Sequence, residues 1–135
     1  MRANRKRNTR PEIRLRSALY RRGLRFRVAV RAEPNINAVV DVVFRGARVA
    51  VFVDGCYWHG CPTHGTKPRT NADYWIPKIE RTRRRDELND GVLRQAGWEP
   101  IHVWEHEAVV DAADRVAAAV RTRTTLNRRA ANRLL

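Results

Sequence analysis

The 135-residue chain is long enough to build one hydrophobic core and too short for two. Its 28 Lys and Arg against 14 Asp and Glu leave a net charge of +14, the footprint of a polyanion binder, and nucleic acid is the commonest polyanion. The longest apolar run, residues 49–53, cannot cross a bilayer, and no apolar stretch follows the basic start as a secretory signal requires, so no membrane partner and a cytoplasmic location are expected.

In chain order, Thr9-Arg10-Pro11-Glu12 reads as a helix start. Thr9 caps, Pro11 suits the first turn and Glu12 stands at the capping-box position. Ile13, Leu15, Ala18, Leu19 and Leu24 recur at helical spacing, and Gly23 supplies the stop. Residues 25–30 alternate and predict a strand with one wet face; residues 34–37 predict a turn. Residues 39–44 and 48–53 predict two strands of a hairpin, joined at Arg45-Gly46-Ala47, the second apolar on both faces like a central strand. Residues 54–72 predict a long loop rich in Gly, Pro, Thr and His, which in so small a domain implies function or a metal tie. Asp73 can cap a helix running to about Gln95, with Pro77 tolerated near its start and Gly97 as its stop. Residues 98–104 predict a fourth strand, with Trp98 and Trp104 assigned to the core, and residues 108–121 a last, alanine-rich helix. The expected organisation is one domain over residues 1–121 and a basic, frayed tail over 122–135, with a mixed α/β sheet flanked by helices.

Both cysteines, Cys56 and Cys61, lie in the long loop, with His64 three residues after the second. That spacing reads as a zinc site in a reducing compartment rather than a disulfide framework. Tetrahedral zinc wants a fourth ligand, and His59, His102 and His106 are the candidates. His102 falls within a strand and reads as an exposed or packed side chain. His106 follows the strand end and is favoured, which leaves His59 for chemistry.

Asp41 sits in the middle of the apolar run Val39-Val40-Asp41-Val42-Val43. A carboxylate there is costly to bury unless paired or bound to a cation, and the alternative is an edge strand with Asp41 facing water. With Asp54 on the neighbouring strand it forms a plausible cradle for Mg²⁺, which phosphodiester hydrolysis uses to neutralise the phosphate and lower the pKa of its water.

At this point the residues resemble a known family. Met1-Arg2-Ala3, Thr9 to Glu12, Asp41, Val51 to His59, Tyr74-Trp75, Arg85-Asp86, Gly97-Trp98 and Val103-Trp104-Glu105 are similar to the very short patch repair (Vsr) mismatch endonucleases, over residues 1–107. The Gly55-Cys56-Tyr57-Trp58-His59 core is the most specific part. The resemblance implies a restriction-endonuclease-like fold with a structural zinc at Cys56, Cys61, His64 and His106. It also implies Mg²⁺-dependent nicking of DNA on the 5′ side of the thymine in a T:G mismatch left by deamination of 5-methylcytosine. Asp41 falls on the family's metal-binding aspartate and Val53 where a backbone carbonyl completes the metal sphere. His59 falls on the catalytic histidine, with Asp86 to orient its imidazole, and Glu12 on an acid near the active centre. Tyr57, Trp58 and Trp75 fall on aromatics that wedge into DNA; Lys78, Arg83 and Arg84 are expected on phosphates.

Two departures stand out. Val40 precedes Asp41 where nucleases of this fold often carry proline, and Asp54 stands where the best-known member has histidine. The implied partners are T:G-mismatched duplex DNA, mismatch-repair proteins and a cognate cytosine methyltransferase, with the enzyme a monomer in the bacterial nucleoid. The competing expectations are a sequence-specific or modification-related nickase of the same fold, and a non-catalytic, zinc-held DNA-binding protein. Asp41, His59 and Asp86 disfavour the last, because binding alone needs base-reading Arg and Asn rather than buried acids.

Overall fold

The computed structural model describes residues 9–55 and 72–134. Helix α1 spans Arg10–Arg21, strands β1, β2 and β3 span Arg27–Arg31, Val39–Phe44 and Val49–Asp54, helix α2 spans Ala72–Gln95, strand β4 spans Glu99–Trp104 and helix α3 spans Val109–Leu134. The strands form one mixed sheet in the order β1-β2-β3-β4. β1, β2 and β3 pair antiparallel in succession, and β4 returns parallel to β3, with Asp54 opposite Trp104 at the end of the ladder.

Both faces of the sheet are apolar because helices cover both. Leu15 and Leu19 of α1 pack with Val42, Phe44, Val49 and Val51 on one face, where Ala113 and Val116 of α3 close the layer. On the other face Leu93 of α2 and Trp98 lie against Val40, Val43 and Ala50. Trp98 is core, as its strand position predicts, and its indole N–H donates to Glu33 at 2.8 Å. Trp104 is not: it is half-buried and lines two surface hollows, a correction to its core assignment. No helix among the described residues is long and apolar enough to cross a membrane.

The expected helix stops are where the backbone turns left-handed. Gly23 has φ 84° and Gly97 φ 90°, and in each turn the next residue's amide reaches back, Leu24 to Leu19 and Trp98 to Leu93. At the start of α1 the Thr9 hydroxyl accepts the Glu12 amide as predicted. The Glu12 side chain is 6 % exposed and accepts a hydrogen bond from Arg16 at 3.1 Å, so the acid is buried and paired within α1.

The last helix runs to Leu134, well past the end expected near Arg121. Its extension is anchored by tertiary bonds that periodicity cannot reveal. Arg123 donates to the carbonyls of Ala47 and Gly97 at 2.9 and 2.6 Å, and Asn127 donates to Gly46 at 3.0 Å. The residues expected to fray therefore tie the β2–β3 turn to the α2–β4 turn.

Candidate active site

The side alternation of β2 breaks at Asp41, although its register with β1 is the same before and after. Val40 and Val43 pack on one face while Val42 and Phe44 pack on the other, so the in–out alternation slips between residues 40 and 42. Ala29, opposite that point on β1, has φ 53°, a left-handed conformation that alanine adopts only at a cost of about 1 kcal/mol. The β2–β3 ladder runs from Phe44 and Val49 to Val42 and Val51. One step beyond it, the Val53 amide donates to the Asp41 carboxylate at 2.7 Å, where a strand carbonyl would otherwise accept. The local kink thus turns Asp41 out of the ladder while still satisfying the backbone.

Asp41 opens into a cleft of about 490 Å³ whose wall also carries Asp54 from β3 and Arg85, Asp86 and Asn89 from α2. Three of the acids singled out from sequence, Asp41, Asp54 and Asp86, are therefore brought together. Burial raises the Asp41 carboxyl from its ordinary 3.8 to about 6; the Val53 amide pulls it down, Glu12 and Asp54 push it up again, and Arg16 opposes them. The mutual repulsion of Glu12, Asp41 and Asp54 is what a cation would relieve.

Asp54, 6 % exposed, lies on the wall shared with a second, shallower hollow of about 170 Å³ lined by Arg83, Asp86, Asp90 and His102. Here the sequence reading missed two residues. Nδ1 of His102 is 2.7 Å from Asp54, and Nε2 is 2.7 and 2.9 Å from the two oxygens of Asp90. Ionised carboxylates only accept, so both ring nitrogens donate and the ring is cationic. Burial works against that charge, but the hydrogen bonds and charges of Asp54 and Asp90 outweigh it and raise the pKa from 6.5 to about 9. Phe52 stacks on the ring at 5.0 Å between centroids. His102 is neither exposed nor idly packed, as first expected. The signal available in sequence was Asp90, one helical turn after Asp86 and so on the same face of α2.

Of the remaining residues, Arg83 and Arg84 are exposed on α2 and Lys78 is half-buried. His106 is exposed and stacks against Trp104 at 6.5 Å between centroids. Cys56, Tyr57, Trp58, His59, Cys61 and His64 lie outside the described residues, as does the side chain of Trp75. Among the described residues no group of three or more His, Cys, Asp or Glu is placed to hold a metal. Asp41 and Asp54 suit a harder ion such as Mg²⁺, which is bound through one or two carboxylates and completed by water and substrate phosphate.

Comparison with known proteins identifies the family. The family described as DNA mismatch endonuclease Vsr matches residues 1–64, which include Asp41 and Asp54. The type II nicking enzyme V.NaeI of Lentzea aerocolonigenes is 47 % identical over 90 % of this chain and 73 % of its own length. V.XorIIP of Xanthomonas oryzae, also a type II nicking enzyme, is 40 % identical over 76 % of this chain and 74 % of its own length. The DNA mismatch endonuclease Vsr of Escherichia coli is 35 % identical over 78 % of this chain and 66 % of its own length. On these matches the chain belongs to the Vsr family and is a DNA endonuclease.

Proposed function

We propose that the cleft at Asp41 hydrolyses one phosphodiester of duplex DNA, on the 5′ side of the thymine in a T:G mismatch produced by deamination of 5-methylcytosine. The observation that carries the reading is the convergence of Asp41, Asp54 and Asp86 on one cleft in a chain of net charge +14. In this reading the mixed sheet is a restriction-endonuclease-like scaffold. Asp41, Asp54 and the Val53 carbonyl hold Mg²⁺, which when bound neutralises phosphate charge and lowers the pKa of water. His59, oriented by Asp86, moves the proton, and Glu12 shapes the field at Asp41. The Val53 amide keeps the Asp41 carboxylate turned into the cleft.

Recognition is assigned to other side chains. Tyr57, Trp58 and Trp75 wedge beside the mismatch, where unstacking is cheapest, while Lys78, Arg83 and Arg84 meet phosphates whatever the sequence. Cys56, Cys61, His64 and His106 form a structural zinc site. In this reading the enzyme acts as a cytoplasmic monomer on nucleoid DNA alongside mismatch-repair proteins and a cognate cytosine methyltransferase. The names of the nearer relatives favour a second reading, a nickase tied to a restriction–modification system with its own sequence context. Nicking of matched and T:G duplexes in several sequence contexts, with and without Mg²⁺, tests both. Cutting of fully matched DNA at one sequence would replace the mismatch reading by the second.

A further inference from the structure

Asp54 would be a poorly defined ligand on its own. It is the last residue of β3, and the ladder that carries it ends at Trp104. Its orientation is instead set from the neighbouring strand. Ile101 and Val103 of β4 pack into the core on one face of the sheet, so His102 between them projects to the other face, toward α2. There each ring nitrogen meets a carboxylate, Asp54 on one side and Asp90 on the other, while Phe52 lies against the ring plane at an angle of 15°. Three contacts from two elements, β3 and α2, leave the imidazole one orientation.

We infer that His102, clamped by Asp90 and stacked on Phe52, is a positioning residue that fixes the Asp54 carboxylate at the wall of the catalytic cleft. The inference rests on the reading of Asp41 and Asp54 as a shared cation site. A ligand whose partners are preset loses less freedom on binding metal, and partners of this kind contribute about 10- to 100-fold in metal affinity or activity. A residue that merely filled space would need neither of its two carboxylates.

The test uses two variants that split the two hydrogen bonds. The amide nitrogen of His102→Asn lies where Nδ1 lies and can still donate to Asp54, whereas that of His102→Gln reaches toward Asp90 and leaves Asp54 unheld. Mg²⁺ binding by calorimetry on DNA-free protein, single-turnover nicking against Mg²⁺ concentration, DNA affinity and melting temperature are measured for both, with wild type and Asp41→Asn as references. The expected result is about a 10- to 100-fold loss of Mg²⁺ affinity and nicking in His102→Gln, substantial recovery in His102→Asn, and unchanged DNA affinity in both. Equal behaviour of the two variants, whether both match wild type or both fall in step with melting temperature, overturns the inference. If Asp41→Asn also binds Mg²⁺ and nicks as wild type does, the cation-site reading fails and takes the inference with it. If Asp41→Asn is inactive while both His102 variants are normal, the inference alone fails.

Discussion

Asp41 carries a cost that only its chemistry explains. Its carboxyl is raised to about 6, so in the metal-free protein the ionised form opposes folding: the contribution of Asp41 to stability is greatest below about 3.8 and declines as the pH rises through about 6. Asp41→Asn keeps an acceptor for the Val53 amide and removes the charge. The metal-free variant should therefore exceed wild type in stability at pH 7.5, by on the order of 2 kcal/mol, and lose that advantage near pH 4. Urea unfolding at the two pH values measures it; an advantage equal at both would contradict the account. His102 loses stability in the same direction of pH but over a higher window, and its charged form favours folding. As a base raised to about 9, it contributes stability that is complete below about 6.5 and lost as the pH rises through about 9, with Asp54 and Asp90 as its partners. His102→Gln should flatten that alkaline loss, as thermal melts from pH 6 to 10 would register. Asp41 and Asp54 were legible in sequence because an acid within an apolar strand is conspicuous. His102 was not. Alternation gives the side on which a strand residue lies but not what waits there, and its partners stand 48 and 12 residues away in the chain.

Among the elements, helix ends signalled by glycine were legible and the end of α3 was not. Gly23 and Gly97 mark their stops by a backbone geometry that few other residues tolerate. No such stop ends the last helix at Arg121, and what extends it is the capture of turn carbonyls by Arg123 and Asn127. The slip at Asp41 was equally hidden, since an apolar run such as residues 39–44 reads the same on either face. Arg123→Ala should cost about 1.5–3 kcal/mol, the usual range for hydrogen bonds from a charged donor, with the two strand-connecting turns loosened. Truncation after Arg121 should cost at least as much in urea melts. A truncated chain as stable as wild type would show that the extension is dispensable, as a domain ending at Arg121 requires. The proposed zinc loop makes a separate demand. Cys56→Ala or Cys61→Ala should lose both zinc and stability, since structural zinc contributes on the order of 10 kcal/mol of folding free energy in small finger peptides. His59→Ala should keep its zinc and lose nicking. Metal analysis of the purified variants decides; a zinc-free His59→Ala would make His59 a ligand in place of His106.

At the scale of the whole molecule, a chain of net charge +14 gathers Asp41, Asp54 and Asp86 on one cleft. The surface supplies affinity through counterion release, which is blind to sequence, so Arg83→Ala or Arg84→Ala should weaken matched and mismatched DNA alike and flatten the salt dependence of binding. In the proposed reading discrimination belongs to Tyr57, Trp58 and Trp75, so Trp58→Ala should narrow the preference for T:G over T:A by a few kcal/mol at most, within the range for unstacking a base step. Equal losses on both duplexes would make that ring a packing residue. The polyanion partner was legible from charge alone, whereas the mismatch came only through the family resemblance, because nothing in composition encodes a base pair. The most direct test of the central claim is single-turnover nicking of a T:G duplex against its T:A counterpart, in Mg²⁺ and in EDTA, by wild type and Asp41→Asn. The account predicts one cut, 5′ to the mispaired thymine, made by wild type in Mg²⁺ alone and absent from T:A DNA and from Asp41→Asn. Cutting that persists in Asp41→Asn, or that proceeds equally on the matched duplex, would contradict it.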